Sequence, residues 1–445
     1  MENRETNRRN EARTQWRTWV WMVLAALLVR LAVLAFLYPE RLNPDRDHWR
    51  FAGEVGRVAQ SLVEGHGFSN PLFGETGPTA MVPPVYPYLL AGVFKCFGVY
   101  SKASAIVMLS LGSLFSALTC IPVYHLARIG FGEHAARWAG WTWTLFPYAI
   151  YFSSDFIWPT VLTTLLLSLL LLYALRLEDS GRAGECFGFG ALSGLAALAD
   201  PIVLAVLPIL AAWSYYRRWK RGRPWVFPAS AMAAGFLLLI APWFIRNLAT
   251  FHTFIPVRDG LGMNLHVGNN GDSQHFAPPG HYPSDSDAEL NEYVQLGELA
   301  YVERKREQAM AFILRHQAWF ALMTLRRAVY FWTSFWSFDR GYLAQEPFDP
   351  PNIVLSISMD VLAFSGLWLA FRKGSVAAVP LALVLFFFPM AYYVTHGRDY
   401  YRRPIDPVFV MLAAYAVTEW RSQRAAAAAE AGTPTGEAGE ASLEY

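Results

Sequence analysis

Charge, cysteine and internal repetition are all scarce in this chain. Charged residues make up 16% of the 445 residues, whereas a soluble globular protein carries about a quarter. The three cysteines, Cys96, Cys120 and Cys186, are isolated and therefore imply neither a disulfide framework nor a cysteine-rich metal knuckle. The formal net charge is only +2, which argues against a nucleic-acid partner. No internal repeat of about 20 to 50 residues is visible.

Apolar and aromatic side chains, in contrast, are abundant. Hydrophobic residues make up 54% of the chain and aromatic residues 16%, with 17 tryptophans. Because a helix needs about 20 mainly apolar residues to cross a bilayer, these runs predict an all-α integral membrane protein with about ten spanning helices. The predicted spans lie at about 18–38, 103–127, 135–153, 157–176, 184–199, 201–216, 225–245, 352–371, 375–395 and 404–420.

Basic residues predict how these helices are oriented. They cluster in the N-terminal tail and at 176–182, 217–223, 372–373 and 421–424. All of these stretches fall on one side of the membrane, which the positive-inside rule makes cytoplasmic. Both termini are therefore expected in the cytoplasm, and two long segments, 39–102 and 246–350, are expected on the opposite side.

The same pattern divides the chain into five parts. They are a cytoplasmic tail (1–17), an N-terminal transmembrane module (18–245) that contains the first outer loop (39–102), an extracytoplasmic segment (246–350), C-terminal transmembrane helices (351–420) and a cytoplasmic tail (421–445). The final tail is rich in Ala, Gly, Glu, Thr and Pro. It has too few apolar residues to fold, so it is predicted to be disordered.

The outer segments are expected to hold juxtamembrane helices and a small domain. The run Val85–Phe97 follows prolines, which are tolerated at a helix start, and it is too short to span comfortably; it predicts a surface-lying or re-entrant helix. Ser286 and Glu289 form a capping-box pattern. They predict a helix that continues through Gly297. Its solvated face is expected to carry Arg304, Lys305 and Arg306.

Carboxylates in the first outer loop are candidates for catalysis. Asp47 and Glu54 are seven residues apart, so a helix would place them on one face. A carboxylate just above the membrane is suited to act as general base on an acceptor hydroxyl or amine. The alternative is that both are solvated loop charges in surface ion pairs. Asp155, near the end of the third span, is a second candidate, with an N-cap as its alternative.

Arginines on the predicted outer face are the strongest binding signal. They oppose the orientation rule, and the planar guanidinium fork matches phosphate oxygens. These arginines are Arg246, Arg326, Arg327, Arg398, Arg402 and Arg403. Of them, Arg246, Arg402 and Arg403 predict a phosphate or diphosphate clamp, with nearby aromatic rings lining an isoprenoid groove. The alternative is anchoring to anionic lipid head groups.

Two ionisable residues lie within predicted spans. Arg30 belongs to the first span and Asp360 to the eighth. An ionisable group is costly inside a membrane, so each is a functional candidate by default. The alternative for Arg30 is a partner inside the helix bundle.

Four stretches carry a resemblance to a known superfamily. They are the first-loop acids with Glu64-Gly65-His66-Gly67-Phe68, then Pro83-Pro84-Val85-Tyr86-Pro87, then Pro242-Trp243 with Arg246-Asn247, and finally Tyr401-Arg402-Arg403-Pro404 with Asp406-Pro407. In this order and placement they resemble the GT-C polytopic glycosyltransferases. The bacterial branch related to protein O-mannosyltransferases and lipid A aminoarabinose transferases is the most similar. Further similar positions are Gly268-Asn269-Asn270, Gly297-Glu298 and Arg327.

The resemblance implies an enzyme of the bacterial cell envelope. Such enzymes transfer a sugar from a polyprenyl-phosphate donor to a lipid, glycan or protein acceptor, with inversion, at the outer face of the inner membrane. It implies Glu54 as the catalytic base, Asp47 as the alternative base and Asp155 as a supporting acid. The implied donor-phosphate ligands are Arg246, Arg327, Arg402 and Arg403. The implied substrate-binding residues are Tyr86, Trp243, Asn247, Asn269, Asn270, Glu298 and Tyr401.

Two other functions also fit these residues. A transporter or flippase of lipid-linked sugars is the rival; it would show midplane ionisable groups and related halves. An inert scaffold or acceptor-binding subunit is the third. No cofactor is assigned, and since some GT-C branches use a divalent metal while others do not, the need for a metal is open. The donor sugar, the acceptor and the oligomeric state are not predicted.

Overall fold

The computed structural model describes residues 2–41, 51–177, 182–273, 280–334 and 349–431. This part of the chain is helical, apart from loops and two isolated β-bridges, Phe51 with Ile157 and Ser69 with Pro78. The predicted residue Asp47 lies outside the described residues. The α-helices are α1 Glu2–Arg41, α2 Gly53–Val63, α3 Val85–Phe97, α4 Lys102–Leu118, α5 Cys120–Phe131, α6 Glu133–Leu145, α7 Pro147–Ser154, α8 Thr160–Leu177, α9 Ala183–Ala199, α10 Leu207–Lys220, α11 Val226–Phe251, α12 Leu261–Gly268, α13 Asp287–Leu296, α14 Glu298–Arg315, α15 Gln317–Thr333, α16 Asp349–Arg372, α17 Ala378–Phe387, α18 Met390–Val394 and α19 Asp406–Ala431; 3₁₀ turns occupy Pro201–Ala205 and Asp399–Ile405.

The all-α membrane class is confirmed, with a difference in the spans. Within the described ranges, five helical stretches are long and apolar enough to cross a membrane: Arg17–Phe36, Lys102–Phe131, Thr160–Leu177, Val226–Phe251 and Pro351–Arg372. The other predicted spans are also helical, but several are interrupted. The third is broken between α6 and α7 at Phe146, and the ninth between α17 and α18 at Phe388-Pro389. Proline lacks the backbone N–H that would continue the helical ladder, which explains breaks at Pro147 and Pro389.

Small residues allow α9 and α11 to pack closely. At the contact between α9 and α11, a Cβ added to Gly235 would lie 2.1 Å from the carbonyl oxygen of Phe187, and one added to Gly190 would lie 1.9 Å from that of Met232. Glycine at both positions lets the two backbones touch, as is common between membrane helices. The pairing of α9 with α11 sets the position of the chain that follows each helix, including residues 200–202 and 252–260.

Arg30 has hydrogen-bond partners inside the helix bundle, which was the alternative to a functional role. Its side chain is completely buried. It donates hydrogen bonds to Ser116 Oγ at 2.8 Å, to the Thr144 carbonyl at 3.0 Å and to the Trp143 carbonyl at 3.1 Å. A buried guanidinium must find acceptors for its donors within the protein. Because the acceptors of Arg30 lie in α4 and α6, the hydrogen bonds join α1 to both helices.

We call helices α2, α3, α12, α13 and α14 the cap. A small separate core joins the two predicted outer segments within it: Leu72, Met81, Met263, Tyr293, Tyr301 and Val302. The predicted helix at Val85–Phe97 is confirmed as α3. The predicted capping residue is also confirmed, since Ser286 Oγ accepts from the Glu289 backbone N–H at 3.4 Å.

Two predictions about the cap helices are wrong. The helix that starts after Ser286 ends at Leu296, because Gly297 adopts a left-handed φ of 76° and separates α13 from α14. Lys305 is not on a solvated face. It is 3% exposed, and its Nζ lies 2.6 Å from Glu289 and 2.9 Å from Glu292. A buried lysine is tolerated here because two carboxylates pair with it.

Both ends of the described chain are more helical than expected. Helix α1 begins at Glu2, within the predicted tail, and α19 continues to Ala431, past the predicted boundary at 421. Residues 425–429 are all alanine, the strongest helix former, which accounts for the extension of α19. The rest of the tail predicted to be disordered, 432–445, lies outside the described residues.

Candidate active site

A cavity of about 420 Å³ lies between the cap and the helix ends of the bundle. This volume is within the range of about 300–1,000 Å³ that small-molecule sites occupy. Segments distant in sequence line it, including the start of α2, residues 158–160, 199–202, 258–267 and 391–404. Its polar lining residues are Glu54, Thr160, Asp200, Arg258, Asn264, Tyr282, Ser284, Asp285, Tyr392, Thr395, His396, Arg398, Tyr400 and Tyr401.

Glu54 lies in the first turn of α2 and faces this cavity. The chain enters the helix through left-handed Ala52 (φ 71°) and Gly53 (φ 47°), so the entry is strained. The neighbouring Phe51 is held to Ile157 by a β-bridge. Glu54 is 4% exposed. Burial raises its pKa, and the charge of Arg57, one turn later, lowers it in part. Glu54 is thus a carboxylate of increased basicity held at a fixed position.

Two arginines line the same cavity. Arg398 is among the arginines predicted on the outer face, whereas no sequence pattern singles out Arg258. Arg258 lies in the loop between α11 and α12. Its positive charge contributes to lowering the pKa of both Glu54 and Asp200, which line the same cavity. The signal in the sequence that could have drawn attention to Arg258 is its place on the predicted outer face, where the orientation rule disfavours basic residues.

Tyr401 also lines the cavity, as one of the predicted substrate-binding residues. Its hydroxyl lies 2.8 Å from His396 Nε2, and His396 Nδ1 lies 3.4 Å from the Asn264 carbonyl oxygen. Burial lowers the pKa of His396 to about 3, so the imidazole is neutral. A carbonyl accepts only, so Nδ1 carries the proton and Nε2 accepts from Tyr401. The Tyr401 ring stacks on Tyr392 with centroids 4.2 Å apart.

Arg402 is not brought to the cavity. It donates to Asp360 and to the Trp332 carbonyl, and its guanidinium carbon lies 4.0 Å from the centre of the Phe409 ring. Asp360, the functional candidate within the eighth span, is therefore the partner of Arg402. The pair ties the chain before α19 to α15 and α16.

Arg403 is also held by the protein outside the cavity. It donates to Asp406 at 3.2 Å, and its guanidinium carbon lies 3.6 Å from the centre of the Tyr148 ring. Because Tyr148 belongs to α7, this contact ties the start of α19 to a helix in the first half of the chain.

Arg246 and Arg327 bind protein as well. Arg246 donates to the carbonyl oxygens of Thr79 and Phe68, both at 2.7 Å. Arg327 donates to the carbonyl oxygen of Gly268 and to that of Tyr393, the latter at 3.3 Å. The four arginines predicted as donor-phosphate ligands thus form separate internal contacts and not one shared clamp. Sequence spacing does not reveal these partners, because each contact joins distant segments.

Trp243 and Asn247, two predicted substrate-binding residues in α11, fix the backbone of a segment that lines the cavity. Trp243 Nε1 donates to the Val257 carbonyl at 2.6 Å, and Asn247 Nδ2 donates to the Ile255 carbonyl at 3.0 Å. Both bonds fasten the chain just before Arg258. The side chains themselves are buried and do not line the cavity. The motif therefore acts on the cavity through the backbone that it fixes.

Asn269 and Asn270 likewise fix the backbone of two other segments that line the cavity. Asn269 Nδ2 donates to the Val394 carbonyl at 2.8 Å, and Asn270 Nδ2 donates to the His266 carbonyl at 2.9 Å. Tyr86, another predicted substrate-binding residue, is buried and hydrogen-bonds to the backbone next to the cavity at residue 158. Each of these contacts positions a stretch that lines the cavity.

Glu298 and Asp155 are buried carboxylates away from the cavity lining. Glu298 accepts hydrogen bonds from Thr79 Oγ1, the Ala80 backbone N–H at 2.6 Å and the Tyr293 hydroxyl at 2.8 Å. Burial raises its pKa to about 7. Asp155 is 4% exposed and forms the C-cap of α7. Its alternative as an N-cap of the next span is wrong, because α8 begins five residues later.

Gly268 is required by a close approach, which gives a first testable prediction. A Cβ at this position would lie 1.7 Å from the Thr395 carbonyl oxygen. Gly268→Ala must therefore displace the segment that carries His396 and Arg398. We expect the free energy of unfolding to fall by about 1–3 kcal/mol, measured by thermal unfolding. We also expect weaker binding of undecaprenyl phosphate, measured by titration. Gly271→Ala is the matched control, since among the described residues nothing lies within 4 Å of its Cβ position. Equal behaviour of the two variants would show that the contact at Gly268 is not needed.

Comparison with known proteins agrees with this architecture. The family model described as dolichyl-phosphate-mannose-protein mannosyltransferase matches residues 81–245. Among curated proteins, none matches the chain in sequence. The apo oligosaccharyltransferase of Archaeoglobus fulgidus has a TM-score of 0.54 at 14% identity, covering 93% of this chain and 52% of that one. The same enzyme tethered to an acceptor peptide with the NVT sequon gives 0.50 at 14% identity, covering 91% and 50%.

ArnT of Cupriavidus metallidurans, in a crystal structure bound to undecaprenyl phosphate, is also similar. Its TM-score is 0.49 at 15% identity, over 94% of this chain and 64% of that one. The chain therefore spans less than two thirds of ArnT and about half of the oligosaccharyltransferase. The predicted resemblance is confirmed at the level of the fold: the chain has the architecture of a polytopic membrane protein similar to this oligosaccharyltransferase.

Proposed function

We propose that this chain is a membrane glycosyltransferase that uses a polyprenyl-phosphate sugar as donor. The observation that supports the proposal is one cavity, in a GT-C fold, that contains a buried carboxylate, Glu54, together with Arg258 and Arg398. A base and two phosphate-binding cations are what transfer from a lipid phosphate requires. Relative to the sequence prediction, the donor-phosphate role moves to Arg258 and Arg398.

In the proposed reaction, Glu54 accepts the proton of an acceptor hydroxyl or amine. The acceptor atom attacks the anomeric carbon from the face opposite the lipid, the bond to the phosphate oxygen breaks, and the configuration inverts. Both electrons of that bond leave with the phosphate. Its negative charge grows as the bond breaks, so Arg258 and Arg398 stabilise the transition state more than the ground state. Each step uses only side chains of this chain and the two substrates.

The proposed location of this cavity is the extracytoplasmic side of a bacterial inner membrane. Basic residues cluster at the other ends of the helices, for example along 217–223 at the end of α10. The positive-inside rule makes those ends cytoplasmic. Both termini are then cytoplasmic, and the cap faces the periplasm, where the acceptor would be a lipid, glycan or protein.

The test uses purified protein in lipid with radiolabelled undecaprenyl-phosphoryl sugars and a crude envelope acceptor fraction. A transferase releases undecaprenyl phosphate and moves label to the acceptor. A flippase would move label between leaflets without forming product. Donor binding with neither reaction would identify a scaffold, and absence of donor binding would overturn the proposal.

The pH dependence of transfer gives a second prediction. Glu54 must be ionised to accept a proton, so transfer falls as the pH drops through its pKa, which burial raises above the ordinary value of 4.5. Arg57 is the largest opposing influence. Arg57→Gln should therefore move the acid limb of kcat/KM to higher pH, whereas Arg57→Lys keeps the charge and stays near wild type. Coincident profiles for wild type and Arg57→Gln would show that Glu54 is not the titrating base.

A further inference from the structure

Asp200 is a carboxylate in the cavity wall that the proposed reaction does not use. It lies between α9 and the 3₁₀ turn Pro201–Ala205. An aspartate before a proline is typical of a turn, and Asp200 has that role: its Oδ1 accepts from the Ile202 backbone N–H at 3.2 Å. The second oxygen, Oδ2, lies 3.4 Å from Thr163 Oγ1. Each oxygen of an ionised carboxylate accepts about two hydrogen bonds. Asp200, which lines the cavity, therefore keeps unused acceptor capacity.

The surroundings of Asp200 limit what it can bind. Burial raises its pKa, and the Ile202 N–H, the charge of Arg258 and Thr163 lower it in part. Within the described part of the chain, no ion pair is formed with it. A phosphate beside it would be repelled, because two like charges in a poorly solvated site cost several kcal/mol. The cavity portion next to Asp200 therefore suits a neutral group with hydrogen-bond donors.

Aromatic rings complete this part of the wall. Tyr392 and Tyr401 are stacked, and the charge of Asp200 acts on both of their hydroxyls. Trp158 and Tyr400 also line the cavity, with ring centroids 5.9 Å apart. A pyranose or furanose presents hydroxyl donors at its rim and C–H groups on its faces, so a carboxylate among aromatic rings is complementary to it.

We propose that Asp200 recognises the sugar of the lipid-linked donor by accepting hydrogen bonds from its hydroxyl groups. This inference rests on the proposed function. Glu54, Asp200 and Arg258 line one cavity, so a phosphate bound at Arg258 leaves the attached sugar in the space that the two carboxylates share. Glu54 then acts on the acceptor, and Asp200 binds the sugar that is transferred.

The experiment compares two lipids on the full-length protein in nanodiscs. One is undecaprenyl phosphate without sugar; the other is the undecaprenyl-phosphoryl hexose or pentose that the wild type binds most tightly from a panel. We expect Asp200→Asn to leave the Kd for the sugar-free lipid within about 2-fold and to weaken binding of the sugar-bearing lipid about 10-fold or more, as loss of a hydrogen bond to a charged group predicts.

A second variant separates recognition from helix capping. Asparagine is as good an N-cap as aspartate, whereas alanine is not. Asp200→Ala should therefore lose both thermal stability and sugar discrimination, while Asp200→Asn loses discrimination alone. If Asp200→Asn keeps the wild-type ratio of the two Kd values, the inference is overturned and Asp200 is a cap only. A raised acceptor KM with unchanged donor affinities would overturn it in favour of an acceptor contact.

The outcomes also distinguish this inference from the proposed function. Failure of the wild type to bind undecaprenyl phosphate at all would remove the proposed function. Tight wild-type binding of the sugar-free lipid, with no gain from any attached sugar, would leave the phosphate site standing and overturn sugar recognition by Asp200.

Discussion

Replacing Glu54 by glutamine is expected to reduce the rate of sugar transfer by about 10²–10⁴-fold, the usual contribution of a general base. Donor affinity should stay within a few fold of wild type. Glutamine has nearly the same shape and cannot accept the acceptor's proton. Because Glu54 is buried at the cavity wall, the substitution removes a charge without opening a space. The measurement is single-turnover transfer of labelled sugar, with donor Kd determined on the same preparation.

The matched control for this prediction is Glu64→Gln. Glu64 caps the same helix at its other end but is exposed to solvent. Its substitution should leave transfer unchanged within a few fold. Full activity of Glu54→Gln would assign the base to another group, and Asp47, the alternative that the sequence offers, would be the next to test.

Arg258→Ala is expected to weaken donor binding by about 10- to 100-fold, the range for a lost hydrogen bond to a charged group. Arg398→Ala should have a similar effect, and the double variant a larger one. Arg258→Lys keeps the charge but not the planar fork, so it should fall between wild type and alanine. Titration with undecaprenyl phosphate measures this directly, because that lipid carries the phosphate and no sugar.

Arg403→Ala provides the contrasting control. Its guanidinium is bound to Asp406 and stacked on Tyr148. Removing it leaves a buried carboxylate without one of its partners, so thermal stability should fall. Donor affinity should not change in the protein that remains folded. The reverse pattern, with weak donor binding by a stable Arg403→Ala and normal binding by Arg258→Ala, would restore the clamp predicted from the sequence.

Sequence patterns predict the helices of this protein better than their contacts. Long apolar runs, basic loops and the Ser286 cap are local signals, and each has a local structural result. Breaks at Pro147 and Pro389 also follow from local chemistry, although the predicted spans run across them. The end of α13 at Gly297 is missed because apolar spacing continues through it.

The site is harder to predict, for a physical reason. Arg402 pairs with Asp360, 42 positions away, and Arg246 binds carbonyl groups more than 160 positions away. No spacing rule links such residues, so a motif arginine that holds backbone looks the same as one that binds phosphate. Arg258 and Asp200 have no motif around them, and only the fold brings them to the cavity.

The proposed function requires that one cavity hold a lipid phosphate at Arg258 and Arg398 beside Glu54. An experimental density map of the protein with bound undecaprenyl phosphate would test this requirement without any intermediate assumption. We predict phosphate oxygens about 2.7–3.2 Å from the guanidinium groups of Arg258 and Arg398, with Glu54 on the wall of the same cavity. A phosphate bound instead at Arg402 and Arg403, or outside the cavity, would contradict the proposed function.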